Sequence, residues 1–252
     1  MSEFECVLAK RKTKTVYKNG EHVVKLFVED YSKANILNEA LNQARVEECT
    51  DLNIPRLEQV TKIDNRWALV SEFVDGVSME KLIAENPEKE NEYLEKFVDI
   101  QLEILAKRVP LLNRIKDKFK RKLNDTTLIN DSTKYELMHR LEGMKDHTKL
   151  CHGDFNPSNV ILTPDGKWYV IDWSHATQGN ASADAARTYL IFCMEGKLSL
   201  AEKYLKIFSE KSTIAITNIQ RWLPIVAATQ LTKGNEEEQE FLNKWIDVAD
   251  YE

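Results

Sequence analysis

Long hydrophobic runs are missing from this sequence of 252 residues. Among its longest stretches without a charge is Trp222 to Thr232, which is far shorter than the roughly 18 apolar residues that a membrane span needs. The start, Met1 to Cys6, carries acids where a secretory signal carries bases, and no apolar segment follows before Lys10. We therefore expect a cytoplasmic protein without a membrane partner.

Cysteine is scarce, and its spacing does not match the common disulfide or zinc-binding motifs. The four cysteines are far apart in sequence and form no CxxC pair: Cys6, Cys49, Cys151 and Cys193. No histidine cluster lies at metal-ligand spacing beside them. We expect reduced core residues in a reducing compartment, with a disulfide or a zinc site as the alternative.

An excess of basic charge is also missing, since 35 Lys and Arg face 41 Asp and Glu and leave a net charge of −6. The C-terminal stretch Gly234 to Glu252 accounts for that whole excess, because its seven acids face Lys244 alone. The remainder of the chain is neutral. A protein that binds nucleic acid in general needs a basic face to displace counterions, so nucleic acid is not an expected partner.

The first third of the chain has the alternating pattern of strands, with one helical stretch inserted. A helix is predicted from Ser32 to about Glu48, where apolar residues recur at helical spacing and Ser32 can cap the start. Asn19-Gly20 is typical of a tight hairpin turn. The predicted strands are Phe4 to Leu8, Thr15 to Tyr17, Val23 to Val28, Leu57 to Ile63 and Trp67 to Phe73. This part should form a five-stranded antiparallel sheet with one helix.

After Asp75-Gly76 the pattern changes to long amphipathic helices. They are predicted at Ser78 to Ala84, Glu90 to Lys107, Leu111 to Leu123 and Ser132 to Met144, and again from about Ala183. Two short strands interrupt them, Val160 to Leu162 and Trp168 to Ile171. We predict an α+β fold of two lobes, with residues 1–76 as the sheet lobe and linker and 77–252 as a larger, mainly helical lobe.

The segment from Leu150 to Trp173 contains the residues that indicate a chemistry. Asp154 follows His152-Gly153, Asn159 comes five positions later, and Asp172 stands at the end of an apolar strand. Phosphoryl transfer needs a carboxylate that accepts the proton of the attacking hydroxyl, together with oxygen ligands for the metal ions that neutralise the phosphates. Asp154 is the candidate catalytic base, and Asn159 and Asp172 are candidate Mg²⁺ ligands.

These motifs resemble those of the aminoglycoside phosphotransferase and choline kinase family, which shares the protein-kinase fold. The resemblance rests on His-Gly-Asp-x4-Asn, on Ile-Asp-Trp at 171–173, on Gly179 and on Ala183-Asp-Ala-Ala-Arg187. It implies a kinase that uses ATP and Mg²⁺, with GTP as an open alternative. By the same resemblance His152 supports the catalytic loop, and Asp184 bonds the backbone of that loop.

The resemblance also implies a nucleotide site in the first lobe. Lys25, on the third strand, would hold the phosphates, and Glu39 on the helix would orient it. The linker Ser71 to Gly76 would lie against the adenine through main-chain groups, assigned to Glu72 and Val74. One departure stands out, because Ala9 to Lys14 contains no glycine where kinases have a Gly-rich loop. Its basic side chains either attract the triphosphate or form a solvated hairpin tip.

The acceptor is expected to be a small molecule rather than a peptide. Only Trp173 to Ser182 follows Asp172 before the next helix, and no Ala-Pro-Glu motif occurs. The acidic C-terminal stretch suggests a cationic acceptor such as an aminoglycoside, choline or an amino sugar, and a solvated final helix is the alternative. Trp222 and Trp245 are either a cation–π pocket or core residues. A nucleotide-binding protein with little catalysis, or a kinase of one protein partner, are the competing hypotheses.

Overall fold

The computed structural model describes residues 4–246. The chain forms two compact units. The first comprises the residues up to Asn86 together with Pro157–His175, and the second comprises Pro87–Asn156 together with the residues from Ala176. The predicted boundary after Gly76 cuts the chain once. A single cut could not assign the later segment 157–175 to the first unit. Each unit is described by itself below.

The first unit is built on a five-stranded sheet in which every neighbouring pair is antiparallel. The strand order is β1-β2-β3-β5-β4, which confirms the predicted sheet. Its strands are β1 (Cys6–Lys10), β2 (Lys14–Asn19), β3 (His22–Phe27), β4 (Leu57–Ile63) and β5 (Arg66–Glu72). Lys25 of β3 faces Leu69 of β5 in the register, so this lysine lies on a central strand rather than at an edge.

One helix, α1 (Lys33–Cys49), packs against this sheet. The Ser32 hydroxyl caps it by accepting a hydrogen bond from the Asn35 N–H at 3.4 Å. Ile36 and Ala40 form a buried cluster with Phe27 and Leu69. Because positions three and four apart share one helix face, burying Ile36 and Ala40 also buries Glu39, which is 7% exposed.

The rest of the first unit is a small three-stranded sheet with one helix beside it. Its elements are β6 (Val77–Ser78), α2 (Met79–Glu85), β8 (Val160–Leu162) and β9 (Trp168–Val170), and its strand order is β6-β8-β9. The short strand β6 was not predicted. It forms because Val77 and Ser78 pair with Leu162 and Ile161, which are more than 80 positions away and invisible to any local pattern.

The second unit is mainly helical. Its helices are α3 (Glu90–Ala106), α4 (Ile115–Asp125), α5 (Asp131–Gly143), α6 (Ala181–Met194), α7 (Leu198–Ser212), α8 (Ile216–Gln220), α9 (Leu223–Leu231) and α10 (Glu236–Ile246). Two short strands, β7 (Lys149–Cys151) and β10 (Thr177–Gly179), pair antiparallel beside them. An aromatic core holds α3, α6 and α7 together. The rings of Phe97 and Phe155 stack with their centres 4.3 Å apart, and the ring centres of Tyr204 and Phe192 are 5.7 Å apart.

Helix α4 begins at Ile115, four residues later than the predicted Leu111. The reason is that the backbone before it bonds to β10 instead. The Gln178 side-chain amide donates to the carbonyls of Pro110 and Leu112, both at 2.7 Å, and the Gln178 backbone N–H donates to Asn113 O at 3.0 Å. These tertiary bonds hold the segment in a turn and a bend despite its helical periodicity.

The prediction of four core cysteines is wrong for two of them. Cys151 and Cys193 are buried, but Cys6 and Cys49 are exposed, and all four are free thiols. Cys6 lies on the edge strand β1 and Cys49 ends α1, where little chain is available to cover them. Within residues 4–246, none of the helices combines the length and hydrophobicity that crossing a membrane requires.

Candidate active site

The first unit brings a lysine between two carboxylates. The Lys25 Nζ lies 2.8 Å from Glu39 Oε1 and 2.9 Å from Asp172 Oδ1. Strand β3, helix α1 and the second residue after β9 each supply one member. Burial acts to lower the pKa of Lys25, but the charges of Asp172 and Glu39 outweigh burial and raise it above its usual range. The lysine is therefore a fixed positive charge.

Asp172 stands two residues after β9 with an unusual backbone conformation. Its φ of 61° lies in the left-handed region, which Asp tolerates better than most side chains. Burial acts to raise its pKa, but the positive charges of Lys25 and Lys14 outweigh burial and hold the pKa well below its usual range. Since its side chain is 30% exposed, Asp172 presents an ionised carboxylate to solvent.

Asn159 lies in the same unit, at the end of a short 3-10 turn that leads into β8. The Ile171 N–H donates to the Asn159 carbonyl at 2.9 Å, so the backbone places Asn159 beside the residue that precedes Asp172. An amide oxygen and an ionised carboxylate are both hard oxygen donors. This donor set fits Mg²⁺, which takes few ligands from protein and completes its octahedron with water and phosphate.

Sequence reasoning did not single out Lys14, the last residue of the glycine-free stretch. It opens β2, and its Nζ lies 3.2 Å from Glu39 Oε1. The same ammonium lies 5.6 Å from the ring centre of Phe27. Lys14, one of the basic side chains at 9–14, therefore forms an ion pair with the same Glu39 carboxylate as Lys25. The available signal was strand alternation, because Lys14 pairs with Phe27 in the register and Val16 pairs with Lys25.

The adenine assignment requires main-chain groups of the linker. The N–H of Glu72 is not available for it, because it already donates a backbone hydrogen bond. The Glu72 N–H donates to the Arg56 carbonyl at 2.9 Å, and the Phe73 N–H donates to the Glu21 carbonyl at 2.8 Å. A contact from Glu72 to adenine would therefore use its carbonyl oxygen. Val74 follows β5 in irregular, partly buried backbone. Both assignments stay predictions.

In the second unit, the loop His152 to Asn156 is held by buried hydrogen bonds. The Gly153 N–H donates to Asp184 Oδ1 at 2.7 Å, and the Asp154 N–H donates to His152 Nδ1 at 3.2 Å. His152 and Asp184 are 0% and 1% exposed. Burial raises the pKa of Asp184, against hydrogen bonds from Gln101 and Gly153. Their contacts are those of supporting residues, as the resemblance implied.

A second layer extends this support to helices α3 and α7. The Gln101 amide donates to Asp184 Oδ2 at 3.1 Å, and its carbonyl oxygen accepts from the Tyr204 hydroxyl at 2.7 Å. The Thr188 hydroxyl donates to the Phe155 carbonyl at 2.8 Å. The backbone of the loop is thereby fixed from three helices, because α6 supplies Asp184 and Thr188.

The Asp154 side chain has a cationic neighbour whose role the sequence did not indicate. Arg187 of α6 places Nη2 3.1 Å from Asp154 Oδ1, with side-chain exposures of 13% and 28%. Arg187 belongs to the motif at 183–187, but the motif alone gave it no partner. It lies one helical turn after Asp184 on α6, so the same helix supports the loop and contacts its carboxylate.

The two tryptophans differ in their surroundings. Trp222 is 2% exposed and packs edge-on against Phe119 at 6.4 Å, so it is a core residue. Trp245, partly buried, lies 6.0 Å from Tyr189 and 6.2 Å from Phe241. In the acidic stretch, Glu238 accepts a hydrogen bond from the Gln230 amide at 2.6 Å. Asp247, Asp250 and Glu252, which the charge argument also used, lie outside the described residues.

An antiparallel sheet with a lysine–glutamate pair, followed along the chain by a helical region with a His-Gly-Asp loop, is typical of the protein-kinase-like fold. The chain belongs to the phosphotransferase enzyme family (APH), whose model matches residues 11–215. That span is most of the chain and contains Lys14, Lys25, Asp154, Asp172 and Arg187. No curated protein matches the sequence.

Two solved structures illustrate the shared fold. The aminoglycoside phosphotransferase APH(4)-Ia is 18% identical, with 98% of this chain and 92% of that chain covered and a TM-score of 0.72. The choline kinase LicA from Streptococcus pneumoniae is 17% identical, with 99% and 89% covered and a TM-score of 0.61. A mutant of the first was solved as a ternary complex with ADP and hygromycin B. At these identities the likeness establishes the fold, and the α+β kinase-like prediction is confirmed.

Proposed function

We propose that this chain is an ATP- and Mg²⁺-dependent kinase that transfers the γ-phosphate to a hydroxyl group of a small molecule. The observation that carries the proposal is Lys25 held between Glu39 and Asp172, at 2.8 and 2.9 Å. A kinase needs its strand lysine oriented by the helix glutamate and its metal-binding aspartate ionised, and the contacts of this triad support the assignment of those roles.

In the proposed reaction, each residue of the candidate active site would have a separate role. Lys25 would bind the phosphates, Glu39 would orient it, and Lys14 would add a second positive charge where a glycine-rich loop is missing. Asn159 and Asp172 would hold Mg²⁺, which when bound neutralises charge on the phosphates. The carbonyl of Glu72 and the backbone of Val74 would contact the adenine. Related structures were solved with ADP, with AMP and with GDP, so GTP stays an alternative.

Asp154 would accept the proton of the attacking hydroxyl. Its loop is fixed by Asp184 and His152 on the backbone side, which leaves little freedom for the main chain that carries the carboxylate. Arg187, 3.1 Å from Oδ1, would hold the side chain in one orientation. A base must be positioned before the hydroxyl arrives, and these contacts support that position.

Replacing Asp154 with Asn tests the assignment. We expect acceptor-dependent ADP release to fall by about 10²- to 10⁴-fold, because the amide cannot accept the proton. Mg-ATP binding, followed by thermal shift, should stay at the wild-type level, because Lys25, Glu39 and Asp172 are unchanged. Asp125→Asn, at an exposed position that ends α4, is the control and should keep full turnover.

The competing hypotheses predict different results in the same assay. Undiminished turnover in Asp154→Asn would overturn the role of Asp154. Mg-ATP binding without ADP release for any acceptor in a panel of aminoglycosides, choline, sugars, polyols and hydroxy acids would favour a nucleotide-binding protein with little catalysis. Radiolabel transferred to one lysate protein would favour a protein kinase.

A further inference from the structure

Four basic side chains of the second unit lie within electrostatic reach of one another, and two of them, Lys118 and Arg187, also interact with Asp154; we call the four the basic cluster. Its members are Lys118 and Lys122 of α4, Arg187 of α6, and Lys233 just after α9. Neither the family match nor the sequence motifs assign the two α4 lysines a role. Lys118 and Lys122 are four residues apart, so they lie on the same face of α4.

The fold fixes this cluster at several points. The Lys122 ammonium donates to the Thr229 carbonyl of α9 at 3.3 Å, and Arg187 contacts Asp154 at 3.1 Å. Helix α9 packs against both α4 and α6. Helix α4 also lies close to β10, where a Cβ on Gly179 would meet Ile115 Cβ at 2.8 Å. The lysines are therefore held in place by packing, although their charges repel.

The like charges of the cluster lower the pKa values of both α4 lysines. The pKa of Lys118 is lowered to about 7, first by burial and then by Lys122, Lys233 and Arg187, against the charge of Asp154. The pKa of Lys122 is lowered to about 8 by burial and by Lys233, Arg187 and Arg121. Lysines that are merely solvated keep their ordinary pKa, so these two are partly desolvated among like charges.

Like charges at this range repel one another, and a bound anion would offset that repulsion. It would also raise the pKa of both lysines.

We propose that the acceptor is anionic: a small hydroxyl compound whose carboxylate or phosphate group binds the basic cluster while its hydroxyl faces Asp154. This inference rests on the proposed kinase function and specifies its substrate class. It replaces the cationic acceptor that the acidic C-terminal stretch suggested. Phosphoryl transfer to such an acceptor forms the bond from the acceptor oxygen to the γ-phosphorus, breaks the bond to ADP, and passes the hydroxyl proton to Asp154.

Binding of four small polyol derivatives without nucleotide tests the inference. The probes are glycerate and glycerol 3-phosphate, which carry the two anion sources, with glycerol as the neutral and serinol as the cationic counterpart. We expect one or both anions to bind the wild type, and glycerol and serinol to bind at least about tenfold more weakly. Serinol binding as tightly as the anions, or no binding of either anion, would overturn the proposal.

Variants of Lys122 connect the binding to the cluster. Lys122→Gln should bind the anions about tenfold more weakly, since a charge-assisted hydrogen bond is lost. Lys122→Arg keeps the charge and should restore the affinity, which a purely structural role of Lys122 would not explain. Lys120→Gln, also on α4 but paired with Glu142 at the surface, is the control and should bind as the wild type. Equal anion affinity in Lys122→Gln and Lys120→Gln would contradict the inference.

Mg-ATP binding, measured on the same proteins, separates the two proposals. The anion inference expects Lys122→Gln to bind Mg-ATP normally, and a parallel loss would show that the cluster serves the nucleotide instead. Wild-type protein that binds the anions but not Mg-ATP would refute the kinase proposal and leave the anion site standing. Thermal unfolding of each variant confirms that it is folded.

Discussion

At the scale of single residues, Lys25 is surrounded by opposite charge. Glu39 is nearly buried and Asp172 partly so. Removing one partner from a buried ionic group costs more than the interaction itself contributes, because the remaining charges stay desolvated without compensation. Lys25 should therefore matter for stability as well as for binding nucleotide, and the two effects can be measured independently.

Replacing Lys25 with Met should lower the free energy of unfolding by about 1–3 kcal/mol, as expected when a buried polar group loses its partner. The double variant Lys25→Met/Glu39→Met should be less destabilised than the single one, because it also removes a stranded carboxylate. Lys18→Met, which removes an exposed pair with Glu5 at 3.8 Å, should cost at most about 1 kcal/mol. Urea unfolding measures all three.

A Lys25 variant that is no less stable than the Lys18 variant would show that the triad is well solvated. A double variant that is less stable than the single one would show that Glu39 contributes through Lys14 rather than through Lys25. Both outcomes can be read directly from the order of the unfolding midpoints.

At the scale of elements, Gly76 joins the end of the large sheet to strand β6. A Cβ at this position would clash with the Leu162 carbonyl and lie 2.7 Å from Ile161 Cγ2. Both neighbours belong to β8, which β6 pairs with. Since Leu162 is met through its backbone, the clash cannot be relieved by a side-chain rotation. The glycine is needed for close approach rather than for its conformation.

Gly76→Ala should therefore destabilise the protein by about 1–3 kcal/mol, the usual cost of inserting a methyl group into packed structure. Gly143→Ala is a matched control, because no atom lies within 4 Å of its added Cβ. Gly143 ends α5, where alanine is the better helix former, so this change should be neutral or slightly stabilising. Thermal unfolding compares the two, and an equal effect would contradict the clash.

How much the sequence could predict depends on how local each signal is. The five large strands, α1 and the His-Gly-Asp loop depend on periodicity or spacing within short windows, and these were predicted. Strand β6, the later start of α4 and the position of Lys14 depend on partners far away in sequence. No pattern around Lys118 or Lys122 distinguishes them from solvated lysines, because their neighbours Arg187 and Lys233 come from α6 and from the turn after α9. The roles of Lys25, Glu39, Asn159, Asp154 and Asp172 stay predictions.

At the scale of the whole molecule, the local charge of the basic cluster has the opposite sign to the net charge of the chain. The chain carries −6 overall, yet the basic cluster keeps two lysines with lowered pKa values. The unfolded chain holds the Lys118 proton up to a pKa of about 10.5, whereas the folded chain loses it near 7. Between these values the unfolded state binds more protons, so this group makes stability rise with pH.

Lys118→Met should remove that dependence. Below pH 7 the variant should be more stable than the wild type, because no charge is desolvated beside Lys122, Lys233 and Arg187. The difference should close as pH rises towards 10, by at most about 1.4 kcal/mol per pH unit. Urea unfolding from pH 6 to 10 measures it, with Lys120→Met, which removes a surface lysine of the same helix, as the control. A difference that is constant with pH would show that Lys118 keeps its ordinary pKa.

The return of residues 157–175 to the first unit also sets an order of events during synthesis. Lys25 and Asp172 are 147 positions apart, so at about 5–20 residues per second the ribosome needs roughly 7–30 s to add the second after the first. Glu39, only 14 positions away, emerges within a few seconds. The lysine can thus pair with the helix glutamate long before the aspartate exists, and Asp172 arrives at a lysine that is already oriented.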